Sequence, residues 1–129
     1  MKKAFSLIEL LVVIAIIGIM LAIGTVSYSI AHKQARDARR KSDLMEIRQA
    51  LETYRSENGV YPNANGSHVP VGIAPNYLTI LPADPKTGTY YYSPNIPNNT
   101  YSLCATLEIV PATPVTGCTT GNNYKVENP

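Results

Sequence analysis

Residues 5 to 23 read FSLIELLVVIAIIGIMLAI, an apolar run with one charge, Glu9. From Leu10 to Ala31 no charged residue occurs. As a helix that span rises roughly 33 Å, enough to cross the hydrocarbon core of a bilayer. A carboxylate placed in such a segment costs a few kcal/mol in lipid, so Glu9 calls for a partner. The run is too long for an ordinary secretory h-region and lacks an A-x-A cut before a polar start. Everything downstream reads as what this helix carries.

The helix does not stop at the membrane. After Ala31 there is no Pro or Gly until Gly59, and Ala, Arg, Lys, Glu, Gln, Leu and Met dominate, all good helix formers. Leu44, Ile47, Leu51 and Tyr54 fall at steps of three and four and form one apolar stripe. Ala31, Ala35 and Ala38 form a thinner stripe before it. Arg48, Glu52 and Arg55 are expected on the polar side, where such pairs contribute only tenths of a kcal/mol. The basic run from Lys33 to Lys41 reads as a solvated face, with Asp37 and Asp43 interspersed. No aromatics interleave it to stack on bases, so no specific nucleic-acid partner is expected. Asn58-Gly59 and then Pro62 end the helix.

Tyr61 to Pro82 is rich in Asn, Gly and Pro and reads as a long ordered loop, with a helical turn near Pro75 to Leu78. Asp84-Pro85-Lys86-Thr87-Gly88 is turn chemistry. Thr89 to Ser93 reads as a strand by its β-propensity. Thr100 to Ile109 alternates and reads as its partner, with Tyr101, Leu103, Ala105 and Leu107 on one face. Tyr124 to Val126 is a short third strand. Three antiparallel strands on an amphipathic helix can bury a modest core, which makes the chain α+β.

The order basic–small–Phe–x–Leu–Ile–Glu–apolar run, here Lys2-Lys3-Ala4-Phe5 through Glu9 and onward, resembles the class III signal of type IV pilins and type II secretion pseudopilins. Tyr54, Asn58, Gly59, Tyr61 and Pro62, followed by Leu81, Pro82, Asp84 and Pro85, resemble the middle of the small pilins and major pseudopilins. The resemblance implies a pilin-like fold. It implies a leader of residues 1–4, a hydrophobic transmembrane and polymerisation half-helix over 5–31, an amphipathic half-helix over 32–58, and a head over 59–129. It also implies that a prepilin peptidase cuts between Ala4 and Phe5, and that the amine of Phe5 is then methylated. Glu9 would meet that amine on a neighbouring copy during assembly. Two departures stand out: Ala4 replaces the usual Gly, and Val26 occupies a position where many major pilins have a kinking Pro. Gly18 and Gly24 remain, either as close-packing points between helices or as soft points.

The function implied is a structural subunit of a type IV pilus-like extracellular filament. It would be a single-pass inner-membrane precursor that works with a pilus or secretion assembly platform and polymerises as a helical homo-oligomer. The alternative within the family is a pseudopilin of a type II secretion or DNA-uptake machine; a more distant one is a monomeric membrane-anchored binding module. Secretion pseudopilins often carry an acidic calcium loop near the C-terminus. Beyond Asp84 this chain has only Glu108 and Glu127, too few for that cluster, so no metal or other cofactor is expected. That lack and the cysteine pair lean toward a pilus subunit. A count of positive charges flanking the span places the C-terminal part in the cytoplasm, whereas the resemblance places it outside.

Composition narrows the alternatives. The net charge is +2, as much as Lys2 and Lys3 supply, which argues against a general polyanion binder. Nine Tyr, one Phe and no Trp point to half-wet surfaces such as subunit contacts. Cys104 and Cys118, in a small exported domain, favour a disulfide over two free thiols; a loop of that size stabilises by about 3 kcal/mol. His32 and His68 read as surface residues. Asn65-Gly66-Ser67 and Asn98-Asn99-Thr100 match the glycosylation pattern, which is common by chance. No catalytic constellation is found, so the chain is not expected to be an enzyme.

Overall fold

Helix α1 spans Leu7–Asn58, 52 residues, and is bounded at both ends by local chemistry. At its start the Ser6 carbonyl accepts from Leu10 N. At its end Gly59 takes φ +78° and its N–H reaches the Arg55 carbonyl at 2.7 Å, a left-handed cap that glycine adopts without steric cost. Asn58 Nδ2 also donates to the Tyr54 carbonyl, at 2.9 Å. The computed structural model describes residues 5–66, 69–95, 97, 99–111, 115–116, 118 and 121–128, without the side chains of Thr25 and Val26. Ala4 and the rest of the 1–4 leader, the Val26 side chain, His68, and Ser67 and Asn98 of the glycosylation patterns lie outside the described residues.

The chain divides into two units, Met1–Gln34 and Ala35–Pro129. In the first, the described side chains from Phe5 to Gln34 are exposed, the aliphatic ones included. This part of α1 is long and apolar enough to cross a membrane. A Cβ added at Gly18 or Gly24 would meet nothing within 4 Å, so packing within the chain does not require glycine at either position.

In the second unit a three-stranded antiparallel sheet, ordered β1-β2-β3, packs on the remaining turns of the helix. The strands are β1, Tyr91–Asn95; β2, Thr100–Ala105; and β3, Tyr124–Glu127. Tyr92 pairs with Leu103 and Leu103 with Val126, a row of side chains that crosses the sheet and faces the core. Leu44, Ile47 and Leu51 meet it from the helix, and Ile73 and Leu78 from the loop. The apolar stripe of α1 is therefore as read from the spacing, and Tyr54 packs at its margin. The thinner alanine stripe is not: Ala31, Ala35 and Ala38 are exposed, and the inward face there is Asp37, Arg40 and Asp43.

The strand limits also move. β1 begins two residues later than β-propensity alone predicts and continues through Pro94, which an edge strand tolerates because that residue need not donate to a further neighbour. β2 stops at Ala105 rather than Ile109, because the next amides find side-chain acceptors. Leu107 N donates to Asn123 Oδ1, and Glu108 N and Ile109 N donate to Asp37. Leu107 is nonetheless buried, in line with its expected face. The chain near Pro75 to Leu78 turns back through bonds from Tyr77 N and Leu78 N to the Ile73 carbonyl.

Five of the nine tyrosines, Tyr54, Tyr77, Tyr90, Tyr91 and Tyr124, are half-buried, in line with the half-wet surfaces read from composition, but three lie fully inside. Tyr61, Tyr92 and Tyr101 are buried, and the rings of Tyr61 and Tyr101 stack edge-on at 4.7 Å. Each hydroxyl has a partner inside: Tyr92 donates to the Pro62 carbonyl, and Tyr61 and Tyr101 both donate to Glu52. Glu52 thus serves two core hydroxyls and also keeps the expected pair with Arg55, at 3.9 Å. Burial first, and for Tyr101 the Glu52 carboxylate next, pushes the phenols of Tyr92 and Tyr101 well above the usual tyrosine range.

Cys104 and Cys118 are joined, 14 residues apart. The bridge ties the segment that follows β2 back to that strand. Replacing both cysteines by Ser is expected to lower unfolding free energy by about 3 kcal/mol, from the entropy regained by a loop of this size. Denaturant unfolding of the detergent-solubilised chain, with and without the substitutions, checks this.

Candidate functional site

Two arrangements carry the chemistry. The first is the start of α1. Ser6 N donates to Glu9 Oε2 at 2.8 Å, and Glu9 N donates to Ser6 Oγ at 3.3 Å. This is a reciprocal capping box, in which the serine hydroxyl and the glutamate carboxylate each satisfy an amide that the first turn leaves open. Phe5, 86% exposed, immediately precedes it. The carboxylate is therefore held at the end of the helix where the backbone amides are unpaired and the helix dipole is positive. The S-x-x-E spacing ahead of an apolar run is the sequence signal for this box, and it makes Ser6 a partner of Glu9 that the charge alone does not reveal.

The second arrangement lies within the head unit and was read as a solvated face. Arg40 is 3% exposed. Its guanidinium grips Asp84 with two bonds, Nε to Oδ2 at 2.6 Å and Nη2 to Oδ1 at 3.1 Å. Its Nη1 reaches Asp37 Oδ1 at 2.8 Å and Glu108 Oε1 at 3.3 Å. Arg36, one turn earlier, grips Glu108 in the same forked manner, at 2.6 and 2.8 Å. Asp37 then accepts the backbone amides of Glu108 and Ile109, and Asp84 accepts those of Lys86 and Gly88. Gly88 comes so close that a Cβ there would sit 2.8 Å from the Asp84 carboxylate. A separate acid, Asp43, accepts from the Tyr90 hydroxyl at 2.6 Å.

This clamp fastens three pieces of the head: the helix, the turn at Asp84, and the segment leaving β2. The bonding holds the acids ionised. The Arg40 guanidinium, aided by the amides of Lys86 and Gly88 and opposed by burial, holds Asp84 at about 2. Arg36, then Arg40 and Lys86, do the same for Glu108, also to about 2. Burial alone would raise Asp37, but the amides of Glu108 and Ile109, and then Arg40, outweigh it and lower that carboxyl.

A carboxylate whose native pKa lies below its unfolded value stabilises the fold above the unfolded value, and that contribution fades as pH falls toward the native one. The melting temperature of the head is therefore expected to be level from pH 7 to about 5, and to fall steeply between about 4 and 2. Thermal melts followed by circular dichroism across that range check this. A level profile down to pH 2 would contradict the clamp.

The residues singled out from the sequence thus fall in separate places. Phe5 and Glu9 share the helix start, Gly18 and Gly24 lie along the exposed apolar turns, and Cys104 and Cys118 join in the head. Among the described residues, no group of three or more His, Cys, Asp and Glu side chains is arranged to hold a metal ion. His32 stacks edge-on against Tyr28 at 4.3 Å on the exposed helix.

One long N-terminal helix with a capped, apolar start, carrying a small three-stranded antiparallel sheet, defines the pilin-like class of α+β subunits. The family model of the prokaryotic N-terminal methylation motif matches residues 1–25. The type II secretion system core protein G of Pseudomonas aeruginosa is 30% identical over 103 residues, covering 70% of this chain and 72% of that protein. The protein of the same name from Escherichia coli K12 is 29% identical over 102 residues, covering 69% and 70% of the two chains. That from Vibrio cholerae is 29% identical over 103 residues, covering 70% of each. The chain belongs to the type IV pilin and type II secretion pseudopilin family, and is similar to its core protein G members. No solved structure matches the chain.

Proposed function

We propose that this chain is a structural filament subunit, polymerised through its N-terminal helix as the core of a pseudopilus in a type II secretion-type machine. The exposed apolar helix with a single carboxylate at its capped start carries this reading. The names of its relatives favour the secretion use over the surface pilus. The Cys104–Cys118 bridge supports the second reading, a type IV pilus-like subunit on the cell surface.

In either use residues 1–4 are a leader removed by a prepilin peptidase between Ala4 and Phe5, and Phe5 becomes the methylated amino terminus. Residues 5–31 first anchor the precursor in the inner membrane and then form the filament core. Residues 32–58 link that core to the head of residues 59–129. Glu9 pairs with the amine of Phe5 on a neighbouring copy. Each charge removes the other's desolvation cost, and neither is tolerable alone in an apolar setting. Gly18 and Gly24 allow close approach between helices of neighbouring copies. Processing thereby controls assembly, because the amine at Phe5 exists only after cleavage.

Intact-mass and N-terminal peptide analysis of protein sheared from cells, compared with protein left in membranes, tests the reading. A chain starting at methylated Phe5 is the expected result. A chain that keeps Met1 and is found only in membranes would overturn it. Long surface fibres composed mainly of this chain would move the assignment from pseudopilus to pilus.

A further inference from the structure

The Cys104–Cys118 bridge and the carboxylate clamp act on the same stretch of chain. The bridge closes a ring over a sequence separation of 14, and Glu108 and Ile109 lie inside it, four and five residues after Cys104. Those two residues carry one arm of the clamp. The Glu108 carboxylate meets Arg36 and Arg40, and the amides of Glu108 and Ile109 donate to Asp37 at 2.9 Å each. The other arm lies outside the ring: Asp84 takes two bonds from Arg40 and accepts the amides of Lys86 and Gly88. Two ties on one loop are not independent. Each removes conformational freedom that the other would otherwise have to remove, so each is stronger when the other is present. With the bridge open, the chain between Ala105 and Tyr124 is one long connection from β2 to β3; with it closed, Glu108 sits in a shorter ring whose ends are joined. The bridge does not shorten the loop that carries Asp84, which runs between α1 and β1.

We infer that the bridge is a redox latch for the Glu108 arm alone. When it is closed, the segment is held against Arg36, Asp37 and Arg40. When both thiols are free, the segment opens while the Asp84 arm and the sheet stay folded. Cys104 is fully buried and Cys118 half-buried, so a dithiol reductant attacks at the Cys118 sulfur. The S–S bond breaks, and Cys104 leaves as a thiolate that takes up a proton. The second thiol of the reductant then displaces Cys118. The dithiol becomes a disulfide, and the two cysteines together gain two electrons and two protons. A reducing compartment thus meets a head with its Glu108 arm open, and an oxidising one a head with that arm shut. The latch does not depend on which filament the chain builds.

The full-length chain in detergent is prepared oxidised and, after refolding with dithiothreitol, reduced. Amide hydrogen exchange is then followed residue by residue by NMR. The four amides that donate to the clamp report the two arms separately: Glu108 and Ile109 for one, Lys86 and Gly88 for the other. The expected result on reduction is exchange about tenfold faster or more at Glu108 and Ile109, with Lys86 and Gly88 changed by less than about twofold. Equal acceleration of all four, which loss of the whole fold would also give, means that the bridge steadies the entire head and would overturn the inference. So would four unchanged amides. Glu108→Gln, melted in both redox states, gives a second reading. It should lower the melting temperature of the oxidised chain, and that of the reduced chain by about half as much or less, because there the arm is already open. Equal falls would make bridge and arm independent, and the latch would be lost.

Discussion

Arg40→Ala is expected to unfold the head at temperatures where the parent chain is stable. The substitution removes a side chain that touches Asp37, Asp84 and Glu108 together, and leaves two nearly buried carboxylates without their main counter-charge. Breaking a buried pair from one side costs about 3–5 kcal/mol, because the remaining charge is stranded. For a head of this size that corresponds to a fall in melting temperature of more than about 10 °C. Arg40→Met keeps the stem packed and separates the loss of charge from the loss of volume; it should be nearly as damaging. Arg39→Ala, at the exposed neighbouring position, should change stability by less than about 0.5 kcal/mol. Melts of the three variants and the parent under one set of conditions decide the matter. Equal behaviour of the variants at positions 39 and 40 would mean that the clamp contributes nothing.

Glu9→Ala is expected to leave the chain in the membrane and to abolish filaments. The apolar span is untouched, so insertion should persist. In the proposed assembly contact, what is lost is the counter-charge for the Phe5 amine. An uncompensated charge in an apolar setting costs about 3–5 kcal/mol per contact. Since each 1.4 kcal/mol is about tenfold in an equilibrium constant, subunit addition should weaken by a hundredfold or more. Glu9 also closes the capping box with Ser6, and losing a helix cap costs about 1 kcal/mol. Glu9→Gln separates the two roles, because glutamine serves at the third position of a capping box but carries no charge. If charge pairing governs assembly, the Gln variant should fail as the Ala variant does. Filaments recovered by Gln would assign the effect to the cap. Counting filaments by electron microscopy, beside a membrane-fraction immunoblot, reads both.

Much of the fold was legible because it rests on periodicity and punctuation. Leu44, Ile47 and Leu51 recur at helical spacing, Gly59 marks the end of α1, and Tyr101, Leu103 and Ala105 alternate. Each signal has a local cause that survives in the folded chain. The clamp was not legible for the opposite reason. Five basic residues within Lys33 to Lys41 resemble any solvated helix face, and nothing local distinguishes Arg40 from Arg39. Burial of Arg40 is decided by Asp84 and Glu108, which arrive from elsewhere in the chain. Equally distant acceptors, Asn123 and Asp37, end β2 early, against the strand propensity of Leu107 to Ile109. Tyr61, Tyr92 and Tyr101 lie deeper than composition implies, because composition does not say that Glu52 and the Pro62 carbonyl will accept their hydroxyls inside. At the helix start the signal is present in the spacing of Ser6 and Glu9, a local capping pattern that is legible independently of the charge of Glu9.

The clamp joins residues far apart along the chain: the bonds that Arg36, Asp37 and Arg40 make to Asp84, Glu108 and Ile109 span 44 to 72 residues. During synthesis these helix residues emerge long before their partners, and contacts of such separation form late and slowly. The head therefore cannot close on a nascent chain until Ile109 has been made. Until then Arg36 and Asp37 lack their partners from the segment after β2, and the head stays open. Closure follows only when nearly the whole chain is available, so the timing of folding is written into where the partners of Arg40 sit along the chain.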